Sequence, residues 1–498
     1  MNKTEKSSKF CHKRVALVLV ASLFTSLLAA CGSDKDSDGV TADGKTVLNI
    51  MMIQQGAEPV KRDNPILKQI EEYTDTQLNI TWVPASAYDD KVSATIASGK
   101  LPDLMLARRN KESAMLNAQL SGYFWDVSSY LKETKNLSQM NETGVKNASV
   151  NGSLFGVPRE RVLARYGMIF RKDWLDNLGL KVPKTPEDIY TVAKAFTQDD
   201  PDQDGQKNTF GIQEDNTMEL LKQLTVYNGG PNGWGLKDGK VTPDFLYPEF
   251  KEALDLYRKM VSEGIISPDF SIAKKYEYFN KGKAGMYFSV IDDAGTRHVD
   301  MMKQNDKINI DIAQNFEGTD GERVRGTNGY DSLLVIPKSS VTSEEKLKKI
   351  IDFLDKLNDD DMRNLIAYGI EGTDYTIQDG KVKKIAGSTG AGDLFNLRWG
   401  AQTGTKEVIQ TDLEKKIEQT IKDNADIAVT DLSASLISDT NTEKGANLSK
   451  DMTDANTKYV LGELDEQGWN DAVAKWRSGG GDQIMEEFTT YYNENMSK

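Results

Sequence analysis

The stretch Met168-Ile-Phe-Arg-Lys-Asp-Trp-Leu-Asp-Asn-Leu-Gly-Leu180 continues as Lys-Val-Pro-Lys-Thr-Pro-Glu-Asp188. After an apolar-periodic run it closes with Asp199-Asp-Pro-Asp-Gln-Asp-Gly-Gln-Lys-Asn-Thr-Phe-Gly-Ile212. Its first part predicts a helix that ends at Gly179, where a left-handed residue is favourable. Its second part predicts another helix, because Thr185, Pro186 and Asp188 form a capping pattern. Two bounded helices and an acidic loop therefore lie within one supersecondary unit.

The acidic loop has the spacing of the front half of a calcium-binding loop. Oxygen-bearing residues stand at alternate positions, and Gly205 occupies the sixth position, where the chain turns sharply. The candidate metal residues are Asp200, Asp202, Asp204, Gln206 and Asn208. The usual acid at the twelfth position is replaced by Gly211, so coordination needs Glu214, Asp215 or water. We expect structural calcium; the alternative is an acidic turn that holds no ion.

The first 30 residues have the pattern of an export signal. A basic segment precedes an apolar run over residues 15–28, which is too short for a comfortable membrane span. Leu28-Ala-Ala-Cys31 resembles a bacterial lipobox, which implies cleavage before Cys31 and attachment of lipid, palmitate included, to that residue. The alternative is an ordinary signal peptide with a chance cysteine. Residues 31–44 are short and polar, which predicts a flexible tether.

Composition excludes several classes of function. The net charge of −14 becomes −18 without residues 1–30, because that segment contains five Lys or Arg residues and one Glu. Such an acidic protein is not expected to bind nucleic acid or an anionic membrane surface. Apart from Cys31, the remaining chain has no cysteine, and its one histidine is His298. Disulfides, zinc–thiolate sites and Cys–His dyads are therefore excluded.

Residues 45–106 indicate an α/β fold. Predicted strands at 45–53, 78–83 and 104–106 alternate with predicted helices at 64–74 and 89–98, which is typical of a doubly wound sheet. Ligands bind beyond the carboxyl ends of such strands, which points to Gln54, Gln55 and Arg108. The C-terminal third is predicted to be helical. Roughly 465 residues are too many for one core, so we expect at least two lobes.

Several motifs occur together in a recognisable order. They are the lipobox, Ala97-Ser-Gly-Lys-Leu-Pro-Asp103, Phe155-Gly-Val-Pro-Arg159, the opening stretch and Tyr368-Gly-Ile-Glu-Gly-Thr-Asp-Tyr375. The chain thereby resembles family 1 extracellular solute-binding proteins, in particular the large lipoprotein branch that includes binders of alginate and of unsaturated uronic-acid oligosaccharides. The resemblance implies two α/β lobes joined by hinge strands, a ligand cleft between them, and delivery of an oligosaccharide to an ABC importer. The alginate binders also have a calcium loop like the one at Asp200.

We expect the first lobe to comprise residues 45–155 plus about 285–345. The second lobe is expected to comprise about 156–284 plus about 346–498. The protein is expected to be a monomeric binder rather than an enzyme, held on the extracellular face of the cell membrane by its lipid alone. Its expected partners are the oligosaccharide and the permease subunits of the importer.

A sugar site needs aromatic platforms beside groups that form paired hydrogen bonds. Loop aromatics next to glycine or charge meet this need, and the candidates are Tyr227, Trp234, Tyr330 beside Asp331, and Trp399 beside Arg398. An acidic sugar would also need cations, for which Arg108, Arg159 and Arg325 are candidates. An acidic ligand is favoured, although the charge of −18 would repel it at long range.

Two other classes of function stay open at this stage. A surface glycoside hydrolase or polysaccharide lyase needs paired carboxylates, for which Asp292 with Asp293, or Glu371 with Asp374, are nominal candidates. The first pair is poor, because adjacent residues of a strand point to opposite faces. The second alternative keeps the fold and replaces the sugar with a peptide or another solute.

Overall fold

The computed structural model describes residues 39–108, 110–267, 269–401 and 404–496. The predicted signal segment, Cys31 and most of the predicted tether lie outside the described residues. Within these ranges, no helix has both the length and the apolar character needed to span a membrane.

The described chain begins with alternating strands and helices. They are β1 (Thr46–Gln54), α1 (Pro65–Thr74), β2 (Thr76–Pro84), α2 (Tyr88–Ser98), β3 (Leu104–Ala107), α3 (Ser113–Leu120), α4 (Ser128–Leu131), α5 (Glu142–Ala148) and β4 (Val157–Glu160). The β1 strand pairs in parallel with both β2 and β3. Asn64 caps α1 by accepting from the backbone N–H groups of Ile66 and Leu67. The predicted α/β alternation of this segment is confirmed.

The chain then builds a second sheet. Its elements are β5 (Tyr166–Arg171), α6 (Lys172–Asn177), α7 (Pro186–Gln198), β6 (Phe210–Gln213), α8 (Glu219–Tyr227), β7 (Trp234–Lys237), β8 (Lys240–Pro243), α9 (Pro248–Ser262), α10 (Glu277–Asn280), β9 (Ala284–Val290), α11 (Ala294–Met302), β10 (Ile310–Ala313), β11 (Phe316–Gly318) and β12 (Gly321–Arg325). The main sheet has the order β10-β5-β9-β6. Thr185 and Asp188 form the predicted capping box of α7, and Gly179 has the predicted positive φ of 63°.

The chain next returns to the first sheet. The returning elements are β13 (Tyr330–Val335), α12 (Glu344–Lys356), α13 (Asp360–Tyr368), β14 (Tyr375–Gln378) and β15 (Lys381–Lys384). The β13 strand pairs antiparallel with β3 and β4, which completes the order β2-β1-β3-β13-β4. Asp379 and Gly380 both have positive φ in the predicted hairpin turn between β14 and β15.

The C-terminal part is largely helical, as expected. It contains α14 (Asp412–Asp423), β16 (Ala428–Val429), α15 (Asp439–Val460), α16 (Glu466–Trp476) and α17 (Asp482–Asn495). Met452, Tyr459, Trp469 and Trp476 bury their side chains in the core beneath the second sheet. The C-terminal helices therefore extend the second half of the molecule.

Two large hydrophobic cores define what we call the first lobe and the second lobe. The first core joins the five-stranded sheet to α12 and Trp399, and the second joins the four-stranded sheet to α15 and α16. Our expected division differs from this packing, because β9 and β10 pair with β5 in the second sheet and α12 packs in the first core. Hydrophobic periodicity identifies a strand or helix but not the sheet it joins.

Candidate functional site: the cavities between the lobes

The ends of several strands meet at one edge of the first sheet. The parallel strands β1, β3 and β4 end there, and the antiparallel strand β13 begins there. At this edge the chain crosses between the lobes through residues 161–165 and 326–329, which we call the crossing segments. They are held side by side by hydrogen bonds from Arg161 N to Gly329 O (2.9 Å) and from Thr327 N to Leu163 O (2.9 Å).

A cavity of about 440 Å³ lies beside the first crossing segment. We call it the arginine cavity; its charged lining residues are Glu160, Arg161, Arg165, Asp292, Lys384 and Arg398. Four cations and two anions therefore face it, in a chain whose net charge is −14. Tyr368 and Phe395 also line it, and Phe395 is 40% exposed. An open aromatic ring beside guanidinium groups is a suitable environment for an acidic sugar.

The arginines of this cavity are fixed by neighbouring carboxylates. Arg161 forms an ion pair with Asp331. Arg165 binds Asp292 through two hydrogen bonds of 3.1 and 2.5 Å. These bidentate and paired contacts hold the guanidinium planes in defined orientations.

Arg398 lies among other cations. Arg159, itself 4% exposed, donates from Nε to the Arg398 carbonyl oxygen (3.1 Å). The Arg398 guanidinium stacks 4.4 Å from the Phe395 ring centroid. Burial, together with the charges of Arg161 and Arg159, lowers the pKa of Arg398 to about 10. A bound anion would relieve this repulsion. Arg159 also lies 3.9 Å from Asp331. The fold thus brings the predicted residues Arg159, Asp331 and Arg398 together.

The three residues predicted from the strand ends have partners of their own. Arg108 forms an ion pair of 2.8 Å with Asp89. The Gln54 side chain donates to the Gly56 carbonyl (3.0 Å), and the Gln55 backbone N–H donates to Asp393 (3.0 Å). All three lie at the expected edge of the sheet. These contacts engage the side chains of Arg108 and Gln54, and they hold Gln55 through its backbone.

Two predicted platforms are core residues instead. Tyr227 is fully buried, and its hydroxyl donates to Gln223 Oε1 (2.7 Å). Trp399 is 2% exposed, and its Nε1 donates to the Leu354 carbonyl (2.7 Å). The structure corrects our expectation for both, because their rings and their polar atoms are satisfied inside the protein.

Arg325 is also corrected to a structural residue. It forms a 2.8 Å ion pair with Glu219, and both side chains are 14% exposed. Its Nε donates to Asn232 Oδ1 (3.1 Å), and its guanidinium lies 4.0 Å from the Tyr166 ring centroid. These contacts join β12 to α8 just before the second crossing segment.

Trp234 and Tyr330 line a different space between the lobes. Trp234 lines a cavity of about 610 Å³, and Tyr330 lines an adjoining one of about 310 Å³. Both spaces share Lys111, Asp431 and three further lining residues, so we treat them as one and call it the aspartate cavity. The Tyr330 hydroxyl donates to Asn110 Oδ1 (2.9 Å), which fixes its ring.

Sequence reasoning missed several residues of these cavities. Arg161 and Arg165 follow Arg159 closely, and that density of arginine before a strand expected to change lobes was an available signal. Asp244 and Asp431 lie far apart in the chain and meet only because β8 ends near the loop after β16. No local pattern could have paired them.

The acidic loop at 200–208 brings its carboxylates together. One oxygen from each of Asp200, Asp202 and Asp204 lies within 4.8 Å of the others. Asp202 Oδ1 is buried and has no hydrogen-bond partner among the described residues. Burial and the neighbouring Asp204 raise the pKa of Asp202. An all-oxygen set with an unsatisfied buried carboxylate atom fits a calcium ion. The predicted Gln206 and Asn208 lie in the same loop, where Asn208 Nδ2 donates weakly to Asp204 (3.3 Å).

The structure narrows the remaining ligands of this loop. A Cβ at Gly211 would lie 2.1 Å from the Ala193 carbonyl oxygen, so no acidic side chain fits at the twelfth position. Glu214 is buried against the Leu220 N–H, and Asp215 accepts from the Tyr287 hydroxyl (2.8 Å). Of the three candidates for the remaining calcium ligand, Glu214, Asp215 and water, these contacts leave water.

Three of the four nominal carboxylates of the enzyme alternative already have hydrogen-bond partners within the protein. Asp292 binds Arg165, and Asp293 accepts from the Tyr276 hydroxyl (2.6 Å). Asp374 accepts from the Ile370 N–H (2.8 Å) and from the Ser388 hydroxyl (2.5 Å). These contacts assign Asp292, Asp293 and Asp374 to local structure.

Comparison with known proteins identifies relatives along nearly the whole chain. One is the polygalacturonan/rhamnogalacturonan-binding protein YtcQ of Bacillus subtilis, 35% identical over 97% of this chain and 99% of its own. Another is lipoprotein LipO of the same organism, 36% identical over 96% of this chain and 98% of its own.

Solved structures share the fold at low sequence identity. The alginate-binding protein AlgQ2, solved without calcium ion, has a TM-score of 0.68 and 16% identity, covering 92% of this chain and all of that one. The substrate-binding protein FusA of an ABC transporter of Streptococcus pneumoniae, in complex with kestose, has a TM-score of 0.66 and 19% identity over 90% of this chain and 99% of that one. The sequence model of the bacterial extracellular solute-binding protein family matches residues 57–359. The chain therefore belongs to the bacterial extracellular solute-binding proteins, and its fold is the two-lobed fold of that family.

Proposed function

We propose that this protein captures an acidic, uronic-acid-containing oligosaccharide between its lobes and delivers it to an ABC importer. The observation that carries the acidic specificity is the arginine cavity, where four cations face one space in an acidic protein. The relative whose name specifies polygalacturonan and rhamnogalacturonan, and the structural neighbour that binds alginate, support the same ligand class.

The geometry suits one uronate unit. A guanidinium group can bind a carboxylate through two parallel hydrogen bonds, and the charge repulsion around Arg398 favours an incoming anion. Phe395 offers an exposed ring to the C–H face of the sugar, 4.4 Å from that guanidinium. The sugar would then be held by charge on one side and by apolar contact on the other.

The positive charge of the arginine cavity also explains how a protein of negative net charge could bind an acidic sugar. Surface charges beyond about 8 Å are screened at physiological ionic strength, whereas groups inside a cavity are screened much less. The long-range field therefore slows association modestly, while the arginines determine the affinity.

The proposal is tested by titration calorimetry with a matched pair of ligands. We expect trigalacturonate to bind at least 30-fold more tightly than its carboxyl-reduced counterpart, which has the same length and linkage. Equal affinities would contradict the specificity for an acidic sugar. If no oligosaccharide binds and a peptide from a test panel does, the ligand class is peptide rather than sugar.

We also propose that the mature protein begins at Cys31, is lipid-modified there, and acts as a monomer on the extracellular face of the cell membrane. The lipobox pattern and a relative named as a lipoprotein support this. Mass spectrometry of the purified N-terminus should detect a lipid-modified Cys31, and Cys31→Ala should release the protein into the medium. An unmodified, membrane-retained N-terminus would contradict it.

Calcium is proposed as a structural ion at Asp200, Asp202 and Asp204. These residues lie in the loop that connects α7 to β6, away from the residues that line either cavity. The ion would supply positive charge that joins the helix to the strand and would take no part in sugar binding.

A further inference from the structure

Four asparagines of the chain are followed directly by glycine, namely Asn151, Asn228, Asn232 and Asn328. An asparagine in this position can lose ammonia without an enzyme, because glycine has no side chain to obstruct the attack of its backbone nitrogen on the preceding side-chain amide. The attack needs a side chain that can rotate and a backbone N–H that no acceptor holds. All four pairs lie within the described residues, but in different environments.

The pair at Asn232 is the most restrained. Its Nδ2 donates to the carbonyl oxygens of Gly326 and Val429, both at 2.9 Å. Its Oδ1 accepts from Arg325 Nε (3.1 Å), and the residue is 6% exposed. Rotation of this amide toward the next residue would break all these hydrogen bonds inside the protein, which is costly. The fold therefore protects this pair.

In two further pairs the backbone N–H of the glycine is engaged. Gly229 N donates to the Val226 carbonyl (3.1 Å), and Gly329 N donates to Thr327 Oγ1 (3.1 Å). Both preceding asparagines are half-buried. Each nitrogen has to give up its hydrogen bond before it can attack, so these pairs are expected to react slowly.

The pair at Asn151 lacks all of these restraints. Val150 and Ser153 exchange backbone hydrogen bonds of 2.9 and 3.0 Å, so Asn151 and Gly152 form the exposed tip of a tight turn between α5 and β4. Neither the Asn151 side-chain amide nor the Gly152 N–H has a hydrogen bond to another described residue. A Cβ placed on Gly152 would meet nothing within 4 Å, so the space around the tip is open.

We propose that Asn151 is a site of spontaneous deamidation and that it reacts faster than the other three pairs. The Gly152 nitrogen attacks the side-chain carbonyl carbon of Asn151, and the new C–N bond closes a succinimide ring. The side-chain nitrogen leaves as ammonia, taking up the proton that Gly152 gives up. Water then opens the ring at either carbonyl. One product is aspartate, and the other is isoaspartate, in which the main chain runs through the former side-chain carbon.

The turn lies where the two lobes meet. Leu154, just after it, is buried in the first core, and its N donates to Ser128 Oγ (2.9 Å). On the other side, the Asn151 backbone interacts with the hydroxyl of Tyr491 in α17. Burial raises the pKa of this hydroxyl, and the interaction with Asn151 partly offsets the rise. Aspartate would add a negative charge at this contact, whereas isoaspartate would also lengthen the main chain of the turn by a methylene group. Isoaspartate should therefore disturb the contact more.

This inference requires no ligand, so it can fail separately from the proposed function. The test incubates the mature protein at pH 8, folded and in concentrated urea, and follows each pair by peptide mass spectrometry. Trypsin releases residues 147–159 as one peptide, in which Asn151 is the one asparagine that precedes glycine. An isoaspartyl methyltransferase then labels isoaspartate but not aspartate. Two variants serve as controls. Asn151→Gly tolerates the positive φ of 49° and cannot deamidate, and Asn151→Asp supplies the charge with a normal main chain.

In the folded protein we expect Asn151 to convert at least tenfold faster than each of the other three pairs, with isoaspartate among the products. In urea the four rates should lie within threefold of one another, because the restraints of the fold are then absent. The melting temperature of the aged protein should fall below that of Asn151→Asp, and Asn151→Gly should keep its own over the same period. The proposal is overturned if Asn151 converts no faster than the other pairs in the folded protein. It is also overturned if Asn151 leads by the same factor in urea, since neighbouring sequence rather than structure would then be the cause.

Discussion

The two cavities between the lobes contain similar numbers of ionisable groups, but these groups differ in whether they have partners within the protein. In the arginine cavity, Arg161 and Arg165 each have a carboxylate partner, in Asp331 and Asp292. In the aspartate cavity, Lys111 has no hydrogen-bond partner among the described residues. One cavity is an organised set of ion pairs with surplus positive charge, whereas the other combines this unpartnered lysine with Asp431, whose hydrogen bonds come from the neutral donors of Ser433.

This difference shows how little the net charge of a chain says about its binding sites. A charge of −14 over the whole sequence is compatible with a cavity lined by four cations and two anions. What matters is which charges the fold places in a space from which water is largely excluded, because interactions there are stronger and less screened.

The largest effect is expected at the arginine that belongs to neither cavity. Arg325→Met leaves the largely buried Glu219 with Lys222 as its remaining ion-pair partner and removes the hydrogen bond to Asn232, and should lower the free energy of unfolding by roughly 3 kcal/mol. The double variant Arg325→Met with Glu219→Leu should recover most of this loss, because an apolar pair needs no counter-charge. Urea unfolding measures both, and Lys132→Met serves as an exposed control. Equal stability of the single variant and the control would mean that Arg325 is free for a ligand.

The ionisation of Asp244 in the aspartate cavity should make the free energy of unfolding depend on pH. The pKa of Asp244 is raised to about 7 by burial and by Asp431, so the folded state retains a proton that the unfolded state releases near pH 4. The stability from this proton is present below pH 4 and is lost as the pH rises to about 7. The amide of Asp244→Asn does not ionise, so the variant does not lose stability in this way as the pH rises. It should be more stable than the unsubstituted protein by about 2 kcal/mol at pH 8.

Unfolding at pH 4.5 and pH 8 tests this point, with Asp238→Asn as control. The gain of Asp244→Asn should be several times larger at pH 8 than at pH 4.5. A gain that is the same at both values, or that also occurs in the control, would show that Asp244 ionises like an exposed acid.

Phe395 separates stacking from charge in the arginine cavity. Phe395→Ala removes the exposed ring but leaves Arg161 and Arg165 in their ion pairs, and should weaken trigalacturonate binding about tenfold, or about 1.4 kcal/mol. Phe395→Tyr should retain most of the affinity. Calorimetry measures both, and an unchanged affinity in Phe395→Ala would exclude the ring as a sugar platform.

The smallest effect on binding is expected from calcium. Chelation should lower the melting temperature by several degrees, because the carboxylates of Asp200, Asp202 and Asp204 then repel one another. Trigalacturonate affinity should change less than threefold, since these residues line neither cavity. Asp202→Asn should abolish the response to chelation. A large loss of affinity without a change in melting temperature would contradict a structural role.

Much of the fold was predictable because it depends on local signals. The capping box at Thr185 and Asp188, the helix end at Gly179 and the hairpin turn at Asp379 are all properties of a few adjacent residues. The exchange of strands between the lobes was not predictable in the same way. The pairing of β9 with β5 depends on packing that no short segment encodes.

The sequence signals predicted the candidate site only in part, since Arg398 lines the arginine cavity whereas Arg325, predicted from the same kind of charge, pairs with Glu219. Arg159, Asp331 and Arg398 were expected at the site and lie together. Tyr227 and Trp399 have the same local sequence features as Trp234, yet the first two are in the core and only Trp234 lines a cavity. Whether an aromatic ring faces a core or a cavity depends on the elements packed against it, which the sequence around the ring does not specify.

The most direct measurement of the central claim is a cycle that changes one charge on the protein and the charge on the ligand. Trigalacturonate and its carboxyl-reduced counterpart are titrated into the unsubstituted protein and into Arg398→Met, whose guanidinium lies in the arginine cavity. The account predicts that Arg398→Met loses about 30-fold in affinity for the acidic trisaccharide, corresponding to about 2 kcal/mol, and less than threefold for the reduced one. An equal loss for both ligands, or no loss for the acidic one, would contradict recognition of uronate by the arginine cavity.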